Sequence, residues 1–127
     1  MKTNLKIAIY LDHYQAEVFE YSEHAELIQT IESEFNAVEK KKVLLKGESH
    51  LHNREQDLQQ KFYEVLKKTL VKYDSILLFG TTTAKTELFH VLQVDHSFAA
   101  KAIILKNTDR LTENQKIAYI NDFFTSL

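Results

Sequence analysis

Apolar residues fall into two rhythms along this chain. One is the short unbroken run. Ile7–Leu11 is apolar at every position, and a strand without alternation buries both faces, so this run predicts a strand in the middle of a sheet. Asp12, His13 and Tyr14 turn the chain into a second run, Ala16–Tyr21, and Leu27–Ile31 makes a third. Together they predict an antiparallel meander. Ser75–Phe79 repeats the buried-strand pattern and Gly80 ends it, and Ala100–Leu105 is another short apolar strand.

The second rhythm is helical. Leu58, Phe62, Val65, Leu66, Leu70 and Tyr73 make one stripe, and Asn53 followed by Gln56 has the form of a capping box. The spacing predicts a helix over about 53–73. Ala84, Leu88, Val91 and Leu92 mark a second helix. Thr112 with Gln115 opens a third, lined by Ile117, Ile120, Phe124 and Leu127. Residues 34–52 are polar, without sustained period, and read as a long loop with room for a short strand at Val43–Leu45. The order β-β-β-α-β-α-β-α describes an α/β domain: a mixed β-sheet flanked by helices, with right-handed crossovers.

Composition narrows the class. The 127 residues are 44% hydrophobic and 27% charged, which fits a single globular domain over 1–127 that needs no disulfide or metal to fold. No proline, no repeat and only two glycines, Gly47 and Gly80, leave nothing that reads as a linker. The absence of cysteine excludes thiolate metal sites, disulfides and thiol redox chemistry. The opening MKTNLKIAIYLDH lacks a signal-peptide core, and no apolar run approaches the roughly 20 residues that span a bilayer. The expected location is cytoplasmic, with no membrane partner.

The net charge of −2 hides an asymmetry. Residues 7–39 hold eight acids (Asp12, Glu17, Glu20, Glu23, Glu26, Glu32, Glu34, Glu39) and no Lys or Arg, whereas 40–85 hold ten bases against five acids. Such an imbalance can mark a nucleic-acid face on an acidic body, and its plainer reading is an unevenly charged solvated surface.

Two segments carry a family resemblance: IAIYLDHYQAEVFEY (Ile7–Tyr21) and SILLFGTTTAKTELFHVL (Ser75–Leu92), the latter following the lysine-bearing helix that starts near Asn53. With them the chain resembles the middle domain of eukaryotic and archaeal peptide-chain release factors and of Pelota, in particular the small bacterial single-domain relatives of that group. The resemblance covers nearly the whole chain. It implies a ribonuclease H-like fold and a translational setting. In release factors the second segment reads as apolar strand, Gly-Pro, two or three variable residues and Lys. Here Gly80 and Lys85 keep that pattern, and Thr81 stands at the proline.

In the release factors the loop before the long helix carries Gly-Gly-Gln, whose backbone and glutamine promote peptidyl-tRNA hydrolysis. The corresponding stretch here, KKKVLLKGESHLHN (Lys40–Asn53), has one glycine and no glutamine, while Gln56, Gln59 and Gln60 fall within the predicted helix. The expectation is no peptide release. The same stretch suits RNA. Lys40, Lys41, Lys42, Lys46 and Arg54 can engage phosphates in a sequence-independent, salt-sensitive way, and His50 and His52 can stack on bases or donate hydrogen bonds. Lys85 is a further candidate. Its plainer reading is a solvated lysine, since the first turn of a helix does not favour cations.

Two other chemistries leave weaker traces. A ribonuclease H-type nuclease holds metal ions with carboxylates at strand ends. Asp12 and Asp109 sit where two such carboxylates would fall, but the strand ending Phe79-Gly80-Thr81 offers no acid and Glu87 lies a turn into the next helix. Asp12 also suits a turn by bonding local backbone. His50 and His52 are the only close histidine pair, and without further ligands nearby they do not make a zinc site. No Gly-rich phosphate loop and no G-x-S-x-G elbow occurs. Neither a cofactor nor a metal is expected.

The expected function is therefore non-catalytic association with the ribosome or structured RNA, related to translation termination and rescue. The alternative is a protein–protein interaction module using a sheet edge or the acidic hairpin face around Glu17 and Glu20. A monomer and a homodimer both fit.

Overall fold

The computed structural model describes residues 4–34 and 48–126, the side chains of 48–53 excepted. β1 (Lys6–Leu11) pairs antiparallel with β2 (Gln15–Tyr21), which pairs antiparallel with β3 (Ala25–Glu32). The chain then crosses through α1 (Glu48–Leu70) to β4 (Ser75–Gly80), parallel to β1 on its free side. It crosses again through α2 (Ala84–Gln93) and a 3₁₀ turn (His96–Phe98) to β5 (Ala102–Asn107), parallel to β4. α3 (Glu113–Thr125) closes the described chain. The sheet order is β3-β2-β1-β4-β5.

The apolar runs take the centre of this sheet. Ile7, Ala8 and Ile9 of β1, and Leu77, Leu78 and Phe79 of β4, are fully buried. Alternation then sorts side chains between two cores. Ile7, Ile9, Leu11, Ile76 and Leu78 meet Phe62, Leu66 and Leu70 of α1 and Leu88 and Leu92 of α2. On the opposite face Ala8, Phe19, Leu77 and Phe79 meet Ile120 and Phe124 of α3. Truncating one of these large side chains to Ala would cost about 2–5 kcal/mol. The mixed five-stranded sheet with helices on both faces is the α/β arrangement expected from the sequence.

The structure moves some boundaries. α1 begins at Glu48, so Asn53 lies inside the helix and is not its N-cap, and 48–52 are helical where a loop was expected. The helix also stops at Leu70, before Tyr73. β5 starts two residues later than its apolar run. The capping box at α3 forms as expected: Thr112 Oγ1 accepts from the Gln115 N–H, and the Gln115 side chain accepts from the Thr112 N–H. The remainder of the expected loop, with Val43–Leu45, and Leu127 lie outside the described residues.

Candidate functional site

β1, β4 and β5 run parallel, so the loops leaving their carboxyl ends gather at one edge of the sheet. The loop after β4 leads to α2 on one face, while the loop after β5 leads to α3 on the other. Diverging loops of this kind leave a crevice beyond the strand ends. Here it is a cleft of about 480 Å³ whose walls include Tyr10, Asp12, Glu17, Thr82, Arg110 and Lys116. Lys116 lies against Glu17 in a largely buried ion pair, and its ammonium sits 4.4 Å from the centre of the Tyr10 ring. Its described walls carry two acids, Asp12 and Glu17, and two bases, Arg110 and Lys116.

Asp12 behaves as a turn residue. Its Oδ1 accepts from the N–H groups of Tyr14 (2.7 Å) and Gln15 (2.9 Å), which shapes the corner between β1 and β2. Asp109, the other carboxylate considered for metal chemistry, is exposed in the loop after β5. Among the described residues, no group of three His, Cys, Asp or Glu side chains could hold a metal ion.

Beside this corner, Glu87 of α2 joins three elements. The Tyr63 hydroxyl of α1 donates to its Oε1 at 2.8 Å, His13 Nε2 lies 3.0 Å from its Oε2, and Thr83 Oγ1 donates to Oε2 at 3.3 Å. Burial works against the Glu87 charge, but these hydrogen bonds and the neighbouring His13 outweigh it and hold the carboxyl below its ordinary value. Burial, reinforced by the Glu87 carboxylate, pushes the Tyr63 hydroxyl well above the usual phenol range. Gln59 adds a bond from its side-chain amide to the His13 carbonyl. The group fastens the β1–β2 turn to both helices.

Lys85 is not a solvated lysine. It is 4% exposed, and its ammonium donates to the carbonyls of Gly80 and Thr82. Burial lowers its pKa. The side chain thus folds back over the β4–α2 turn, and the structure gives it no outward face for a phosphate. Of the other candidate RNA contacts, Lys40, Lys41, Lys42 and Lys46 lie outside the described residues. His50 and His52 fall within the first turns of α1, and Arg54 is exposed on that helix. The sequence reading missed the Glu87 group, whose members are 24 and 74 residues apart. It also missed the exposed bases farther along α1, whose seven-residue spacing was visible.

The acidic hairpin is less available than its composition implied. Glu17 is engaged by Lys116, and Glu20, though exposed, accepts from the Tyr73 hydroxyl at 2.6 Å through one carboxylate oxygen. Tyr73 is pushed up to about 12 by burial and by that carboxylate.

No protein-family model and no curated protein matches the sequence. Solved structures do match the fold. Archaeoglobus fulgidus Pelota aligns with 93% of this chain at a TM-score of 0.62 and 10% identity, and the match covers 31% of Pelota. The archaeal translation termination factor aRF1 aligns with 91% at 0.58 and 15% identity, over 33% of its own length. Dom34 of S. cerevisiae, a translation termination-like factor involved in RNA quality control pathways, aligns with 95% at 0.58 and 14% identity, again over 33%. The chain spans about a third of the length of these proteins. It has the α/β fold found in a portion of Pelota, aRF1 and Dom34, consistent with the resemblance to their middle domain.

Proposed function

We propose that this protein is a non-catalytic ribosome- or RNA-associated factor related to translation termination and rescue proteins. One observation carries the reading: more than nine-tenths of the chain aligns with Pelota, aRF1 and Dom34. The basic sequence of 40–54 supplies the contact chemistry, through Lys40, Lys41, Lys42, Lys46, His50, His52 and Arg54. Lys85 stays out of this set because its ammonium is spent on backbone carbonyls. The chain's two glycines are not adjacent, so it carries no Gly-Gly-Gln tripeptide and is not expected to release peptides.

Charge reversal of Lys40, Lys41 and Lys42 to Glu tests the reading in a ribosome pull-down. Loss of capture with an unchanged circular dichroism spectrum supports it. Capture equal to wild type contradicts it.

A second reading, a protein–protein interaction module, is favoured by the β3 edge, where Leu27 and Ile28 are 39% and 46% exposed. Under that reading Leu27→Asp abolishes partner capture while the lysine variant behaves as wild type.

A further inference from the structure

From the exposed side of α1 we infer that this helix is itself an RNA-backbone surface, laid along the phosphates of a structured RNA stem. The inference rests on the proposed RNA association and extends it beyond the 40–54 stretch. Arg54, Lys61 and Lys68 follow one another along α1 at seven-residue intervals, and Lys72 lies in the turn just past the helix end at Leu70. At about 100° per residue the three bases on the helix, Arg54, Lys61 and Lys68, fall within about 40° of one another around its axis, and at 1.5 Å per residue they span about 21 Å. All four are exposed. The three on the helix lie away from the buried stripe of Phe62, Leu66 and Leu70 that docks on the sheet.

The surroundings favour phosphates over other targets. Lys61 pairs with Glu34 at 2.8 Å, but both side chains are more than half exposed, so the pair is weak and open to exchange. Asp57 and Glu64 flank the row, and Glu64 is engaged by Lys67 at 3.1 Å. Single-stranded RNA is bound by stacking bases on aromatic side chains, and among the side chains described from Arg54 onward this face offers none: Phe62 and Tyr63 are 3% exposed and turned into the core. A straight row of flexible cations without a stacking platform suits the regular backbone of a duplex stem, recognised without regard to sequence.

The test is the salt dependence of binding to a fluorescein-labelled RNA hairpin with a stem of about 16 base pairs, followed by anisotropy with the full chain. Each lost phosphate contact removes about 0.9 from the slope of log K against log salt. The double variant Lys68→Gln, Lys72→Gln should therefore flatten the wild-type slope by roughly 1.8 and weaken binding at low salt at least tenfold. Lys106→Gln, on the exposed side of β5, should leave both unchanged. Wild-type slope and affinity in the double variant, with wild-type protein binding the stem, would overturn this inference alone. It would leave the face to an acidic protein or to solvent. A wild-type protein that binds neither ribosomes nor the stem at low salt overturns the proposed function and this inference with it.

Discussion

A side chain on Gly80 would collide with Leu11: a Cβ built there would lie 2.6 Å from the Leu11 carbonyl oxygen. Gly80 also has φ of +149°, a conformation that side chains rarely adopt. The close approach keeps the end of β4 tight against the end of β1, and from there the chain turns into α2 under the ammonium of Lys85. Gly80→Ala should lower stability by roughly 3 kcal/mol or more in urea unfolding, because the colliding atom is backbone. A change under about 0.5 kcal/mol would mean that the strand ends can separate without cost.

The Glu87 group should appear in acid. Its folded-state pKa lies below the ordinary 4.5, so its contribution is complete above that value and is lost as pH falls through the folded value. The stability difference between wild type and Glu87→Gln should therefore shrink as pH falls below about 4.5. A difference that does not change with pH would remove the ionised Glu87 from the account.

The pair of Glu17 and Lys116 joins β2 to α3 with little access to solvent. Removing one member strands the other, so Lys116→Met should destabilise by about 2–3 kcal/mol, whereas Glu17→Gln combined with Lys116→Met should recover part of the loss. Additive losses in that double-mutant cycle would show that the two groups do not couple.

Much of the fold could be read from the sequence because its signals are local. An apolar run such as Ile7–Leu11 needs no distant partner to announce a central strand, and Thr112 with Gln115 forms its box within four residues. Asn53 and Gln56 offered the same local motif, but the amphipathic helix continues upstream to Glu48, and the longer element prevailed over the cap. Lys85 misled for the opposite reason. A lysine is expected in solvent, and its burial depends on where the Gly80 turn places two carbonyls. The link of His13, Tyr63 and Glu87 has no signature at all, since it exists only once β1, α1 and α2 are packed.

Sedimentation of the tagged protein with ribosomes through a sucrose gradient, at low and at high salt, tests the central claim most directly. Association through lysines and phosphates predicts co-migration with a ribosomal fraction at low salt and its loss at high salt. Migration at the top of the gradient at both salts would contradict it.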